Sequence, residues 1–242
     1  MQLFKSKDKF LQFTLNLESS KKFSLEQGIT KTNENTLNAL KRFSMLERQS
    51  FKTFYLWGEK GSGKTFWLRS WQMEKERGSI YIDSQVESQF VPRKNNWFLY
   101  VDNIENADER FKSRLFDELI NQHITNNRFV FASKVDLSIL KTFNFREDFI
   151  SRLKQGLVYH LAELPDEEKK NALRVHIHNL GWIKCSSSPA YDSLIDYMLT
   201  HLPRELGILR LVLDKLNEVA VKQKKTINLR SIKHFLEEDE IY

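Results

Sequence analysis

Eight residues carry the strongest chemical signal: Gly58-Glu59-Lys60-Gly61-Ser62-Gly63-Lys64-Thr65, a complete phosphate-loop pattern of the Walker A type. Glycines let successive backbone amides turn inward around phosphate oxygens, and a following helix adds positive potential at its amino terminus. Lys64 is placed to reach the outer phosphates, and Thr65 to put its hydroxyl on Mg2+. The apolar run Trp97–Val101 ends in Asp102, the expected second ligand to the metal. Asn103 follows it, and an amide cannot take a proton from an attacking water. Glu105 carries an acid nearby but is displaced along the chain. These residues predict nucleotide binding with Mg2+, without rapid intrinsic hydrolysis.

Two arginines and one serine complete the candidate set. Arg152, in Ser151-Arg152-Leu153, precedes a strand and would lie at a domain edge, within reach of a neighbouring molecule's nucleotide. Arg204, in Leu202-Pro203-Arg204-Glu205-Leu206, opens a helix and could fold back onto the local phosphates. Ser133 ends a strand, where a polar side chain can sense the outermost phosphate, and Lys134 stands beside it. The six histidines show no metal-ligand spacing, since His176 and His178 face different ways on a helix.

The elements that must position these residues follow from hydropathy. Phe54–Trp57, Ser79–Asp83, Trp97–Val101, Arg128–Ala132 and Leu157–Leu161 read as strands. Helices fall between them, over Thr65–Arg77 and Asp108–Ile124 among others. Strands alternating with helices predict an α/β class: a three-layer α/β sandwich with a five-stranded parallel sheet. After Pro165 the pattern is helical alone, which predicts a carboxy-terminal helical lid. The expected organisation is an arm over 1–24, a nucleotide-binding α/β unit over 25–164 and the lid over 165–242.

Composition narrows the classes. Among 242 residues, 29% are charged and 40% apolar, with only 8 Gly and 4 Pro, so neither a disordered nor a collagen-like chain fits. The single cysteine, Cys185, excludes an internal disulfide framework and suits a reducing compartment. No apolar run approaches the ~20 residues that span a bilayer, so no membrane partner is expected. The net charge of +6 is concentrated in residues 1–57, where ten Lys/Arg face five Asp/Glu. That leader reads as a solvated, partly ordered basic arm.

The phosphate loop, Asp102-Asn103-Ile104-Glu105, Ser151-Arg152-Leu153 and Pro203-Arg204-Glu205-Leu206, in that order, resemble the AAA+ ATPase domain of the DnaA family, most closely its regulatory-inactivator branch. The resemblance covers nearly the whole chain. Initiators of that family carry an acid where Asn103 stands, and a helix-turn-helix domain after the lid that is not expected here. In the leader, Gln12-Phe13-Thr14-Leu15-Asn16-Leu17 resembles the inactivators' sliding-clamp-binding peptide, with Phe13 replacing Leu and Asn16 replacing Pro. Its glutamine would bond at a pocket rim while Phe13, Leu15 and Leu17 fill the pocket.

The resemblance implies a regulator of replication initiation that binds adenine nucleotide, ADP or ATP with Mg2+, and works in trans with weak intrinsic ATPase. The DNA polymerase III β sliding clamp would hold the protein through Gln12–Leu17, with DNA contacted mainly through the clamp. Arg152 would serve as an arginine finger on ATP bound to the DnaA initiator, promoting its hydrolysis and preventing re-initiation. Implied with this are a bacterial cytoplasm, association with the nucleoid or replisome, and self-association through the same arginine. The rival reading is a DnaC-like helicase-loader ATPase that binds a replicative helicase and single-stranded DNA. It calls for a folded amino-terminal adaptor, for which some 50 residues before Phe54 are thin.

Overall fold

The structure, a computed structural model, describes residues 30–45, 51–75, 78–86, 95–182, 189–223, 227 and 232. The candidate clamp peptide and the arm over 1–24 lie outside the described residues. Five strands form one parallel sheet: β1 Thr53–Trp57, β2 Ser79–Asp83, β3 Phe98–Asp102, β4 Arg128–Ser133 and β5 Leu157–His160. Their spatial order is β2-β3-β4-β1-β5, so β1 and β3, which lead into the chemical motifs, flank β4. All five strands sit where hydropathy places them, and the sheet is the expected α/β layer. β4 is buried at all six positions, as a central strand covered on both faces must be.

Strand alternation feeds two cores, one on each face. Tyr55, Leu99, Val101, Phe129 and Phe131 point to one side. There they meet α3 (Glu109–Ile120) and α5 (Glu147–Lys154) through Phe111, Leu115, Phe149 and Leu153. Phe54, Leu56, Tyr100, Val130 and Ala132 point to the other, against α1 (Glu34–Met45) and α2 (Lys64–Glu74). The predicted helix from Asp108 is divided by Asn121, with α4 covering only Gln122–Thr125.

α1 differs from the solvated-leader reading. Its Leu37, Leu40 and Phe43 are at most 1% exposed and pack under β1. Three apolar residues at three-residue spacing make a helical stripe, and burying them outweighs the basic residues around them. Asn33, just before α1, then ties this segment to the exit of β5. Its amide donates to the Ala162 carbonyl (2.8 Å) and its carbonyl accepts from the Ala162 N–H (2.9 Å).

Beyond β5 the described chain is helical: α6 (Asp166–Asn179), α7 (Pro189–His201) and α8 (Leu206–Gln223). They share their own core of Leu173, Ile177, Leu194, Ile195, Met198, Leu209 and Leu213. The helical region meets the α/β part beside the phosphate loop: Glu205 reaches Lys60 at 3.3 Å, and the Arg210 guanidinium lies 5.2 Å from the Phe66 ring centre. No helix among the described residues is long and apolar enough to cross a membrane.

Candidate nucleotide-phosphate site

The loop after β1 takes its shape from glycines at three places. Gly61 and Gly63 have φ of +85° and +99°, the left-handed region that side chains disfavour. Gly58 is constrained differently: a Cβ there would lie 2.2 Å from the Leu161 carbonyl oxygen. The loop thus fits only where β1 and the end of β5 run backbone to backbone. Gly63 caps α2, and the first amides of that helix have no intrahelical acceptor. Amides and helix dipole together make a cradle for an anion.

Lys64 lies inside this cradle, 8% exposed. Its ammonium donates to the carbonyls of Gly58 (2.6 Å) and Glu59 (2.8 Å) and to Ser62 Oγ (3.3 Å). Burial holds its pKa below the usual lysine value, opposed by the charges of Asp102 and Glu105. An incoming phosphate would exchange neutral carbonyl partners for charged ones, and that exchange favours the ammonium form.

Thr65 and Asp102 come together as a metal-binding pair would: Thr65 Oγ1 donates to Asp102 Oδ2 at 2.5 Å. Tyr81 donates its hydroxyl to the same oxygen at 3.0 Å, and the Asn103 N–H donates to Oδ1 at 2.9 Å. Asp102 is completely buried, and burial raises its pKa despite these three donors. A carboxylate with an unrelieved desolvation cost beside a threonine hydroxyl is a donor set suited to a hard divalent cation. Among the described residues no group of three or more His, Cys, Asp or Glu forms a metal site, so phosphate oxygens or water would have to complete the shell.

Asn103 has φ +54°, a left-handed conformation that asparagine tolerates. Its side chain turns to β2, where Nδ2 donates to Asp83 Oδ1 at 3.0 Å. Ser133 sits at the carboxyl end of β4 with its hydroxyl donating to Glu105 Oε2 at 2.8 Å. Glu205 rests on the apex of the loop: its Cγ would be 2.8 Å from a Cβ on Gly61. The Arg204 guanidinium lies 3.5 Å from the Asp166 carboxylate. Arg152, half-buried on α5, makes no side-chain hydrogen bond or ion pair among the described residues, including with its own phosphate loop.

The structure thus gathers Gly58, Lys60, Gly61, Ser62, Gly63, Lys64, Thr65, Asp102 and Ser133 at one edge of the sheet, with the Glu59 carbonyl. Among the described residues, neither Arg152 nor Arg204 makes a side-chain hydrogen bond or ion pair with that cluster. Motif reading missed Tyr81, Asp83 and Glu205. Tyr81 and Asp83 lie on β2 in register with Tyr100 and Asp102, a pairing that only sheet order reveals. Glu205 carried a weak signal as the neighbour of Arg204.

No protein-family model matches the chain. An uncharacterised protein of Haemophilus influenzae is 25% identical over 210 residues, covering 83% of this chain and 87% of that one. Among solved structures, domain III of the Thermotoga maritima replication initiation protein DnaA superposes with a TM-score of 0.69 at 18% identity, over 90% of this chain and 97% of that one. AMPPCP-bound DnaA from Aquifex aeolicus gives 0.62 at 15% identity, over 91% and 70%. The Thermotoga maritima RuvB Holliday junction branch migration motor gives 0.60 at 16%, over 88% and 71%. At such identities the likeness is one of fold: the chain has the α/β sheet and helical region of a DnaA-like AAA+ domain.

Proposed function

We propose that this protein is an Hda-type regulator of DNA replication initiation. It would bind adenine nucleotide with Mg2+, in the ADP form when active, and promote hydrolysis of ATP held by the DnaA initiator. One observation carries the reading: a full phosphate cradle is combined with an amide after the aspartate that would hold the metal and with an arginine that has no hydrogen-bond or ion-pair partner among the described residues. The cradle holds nucleotide, Asn103 withholds the acid that would speed turnover locally, and Arg152 remains for a nucleotide elsewhere. Intrinsic ATPase is then weak, and the main activity is exercised in trans. The DnaA-like fold and the AMPPCP recorded with one of its neighbours support the nucleotide half of this reading.

When bound, Mg2+ would neutralise phosphate charge beside Thr65 and Asp102. Lys64 would hold the outer phosphates, with the loop amides orienting them. The lid bears on the loop through Glu205, so nucleotide could be transmitted to the surface that meets the initiator. Arg152 would place its guanidinium on the developing charge of the initiator's transferring phosphoryl group; a finger of this kind gives on the order of 10³–10⁵ in rate. Gln12–Leu17 would tether the protein to the DNA polymerase III β clamp, with lysines around the peptide adding long-range attraction.

The test is turnover of DnaA-bound ATP in the presence of clamp-loaded DNA. The intact protein should accelerate it, and Arg152→Ala should abolish the acceleration while leaving ADP binding intact. Gln12→Ala with Leu15→Ala should remove clamp capture in a pull-down and lower the acceleration with it. Unchanged turnover with Arg152→Ala would mean that this arginine is not the finger. Capture of a replicative helicase and single-stranded DNA, without any clamp, would favour the loader reading instead.

A further inference from the structure

The sheet order places β4 between the strand that enters the phosphate loop and the strand that ends in Asp102. Ser133, its last residue, is in register with Trp57, and the Gly58 N–H donates to the Ser133 carbonyl at 3.2 Å. Ser133 therefore borders the entry to the cradle, and its fully buried hydroxyl is the donor that this end of β4 could offer a third phosphate. That donor is already used. The hydroxyl gives its only proton to Glu105 Oε2 at 2.8 Å and accepts from the Val135 N–H at 3.2 Å.

The partner is itself a charge held in place. Glu105 lies on the short 3-10 turn Ile104–Asn106 directly after Asp102 and is 6% exposed, while Ser133 is fully buried. Burial lowers the Lys64 pKa, and the charge of Glu105 is among those that oppose this, so the carboxylate acts on the ammonium that would hold the outer phosphates. A diphosphate needs nothing from this corner. A triphosphate brings at least one further negative charge toward it and finds no free hydroxyl there.

We propose that Glu105, by occupying the Ser133 hydroxyl and fixing a buried negative charge at the end of β4, makes the site discriminate against a third phosphate and so selects the nucleoside diphosphate. The proposal rests on the reading of the loop as a nucleotide site and names the residue that decides which nucleotide it keeps. Between unit charges a few ångströms apart at a partly buried site, the expected discrimination is about tenfold or more.

The experiment is calorimetric titration of the full chain with ADP and with AMPPCP, each with Mg2+, for the wild type, Glu105→Gln and Glu105→Asp. Gln keeps a carbonyl to accept from Ser133 but removes the charge; Asp keeps the charge. The wild type should hold ADP at least about tenfold more tightly than AMPPCP. Glu105→Gln should narrow that ratio to about threefold or less, mainly by tightening AMPPCP, and Glu105→Asp should keep the preference. A ratio unchanged in Glu105→Gln overturns the proposal, as does a preference lost equally in both variants. Loss of ATP turnover in Glu105→Gln at an unchanged ratio would assign the carboxylate to water activation instead. A wild type that binds neither nucleotide refutes the nucleotide-site reading itself, and the proposal with it.

Discussion

Replacing Gly58 by alanine tests whether the phosphate loop depends on the approach of two backbones. The added Cβ would stand 2.2 Å from the Leu161 carbonyl oxygen, whereas ordinary contact begins near 3.4 Å, so about 1.2 Å must be found by movement. Neither side yields easily. Leu161 is fully buried, its N–H donates to the Trp57 carbonyl at 2.7 Å, and the next residue, Ala162, is bonded twice to Asn33. Overpacking of this kind costs about 1–3 kcal/mol, and stretching the Leu161–Trp57 bond about 1 kcal/mol more. We expect urea unfolding to show a loss of about 3 kcal/mol, with ADP affinity falling at least about tenfold as the loop is pushed off its position. Gly63→Ala is the comparison. Its Cβ would meet nothing nearer than the Trp67 ring at 3.7 Å, so its cost is that of φ +99° alone, about 1–2 kcal/mol. A Gly58→Ala protein as stable as the wild type, or less damaged than Gly63→Ala, would refute the backbone-contact argument.

Three further outcomes are expected. Glu205→Gln removes a carboxylate from the loop apex together with its exposed pairing to Lys60, and should raise ADP affinity about two- to fivefold in a fluorescence titration; a fall in affinity would show that Glu205 assists binding. Asp102 has its pKa raised above 3.8 by burial, so the folded state retains this proton longer than the unfolded chain does. Its contribution to stability therefore falls as pH rises from that value through the raised one. With EDTA present, the urea midpoint of Asp102→Asn minus that of the wild type should grow over that window, and a flat difference would contradict it. Mg2+ with ADP should restore stability to the wild type and not to Asp102→Asn.

The strands were legible because each is a short apolar run bounded by turns, and Asp102 was found because it ends the most apolar of them. The phosphate loop was legible from the spacing of Gly58, Gly61, Gly63, Lys64 and Thr65 alone. α1 was less so: its Leu37, Leu40 and Phe43 stripe is short and embedded in a basic leader whose charge dominates a compositional reading. The neighbours of Asp102 were illegible for a different reason. Tyr81 and Asp83 come from a strand some twenty residues away, and only pairing β2 with β3 sets them beside the carboxylate. Glu105 was visible as an acid displaced from the expected position, but its bond to Ser133 depends on the order β3-β4-β1. The loop contact of the lid was illegible in the same way: Glu205, not singled out by its motif, is the residue that covers the loop, while its neighbour Arg204 lies beside Asp166.

The most direct test of the central claim is a calorimetric titration of ADP with Mg2+ into the wild type and into Lys64→Ala. The three acceptors of the Lys64 ammonium are gathered inside the loop, on Gly58, Glu59 and Ser62, ready to be exchanged for phosphate oxygens. The wild type should bind one ADP per chain, and the variant, still folded by urea unfolding, should lose at least about hundredfold in affinity, roughly 3 kcal/mol. Equal ADP affinity in the two proteins would contradict it.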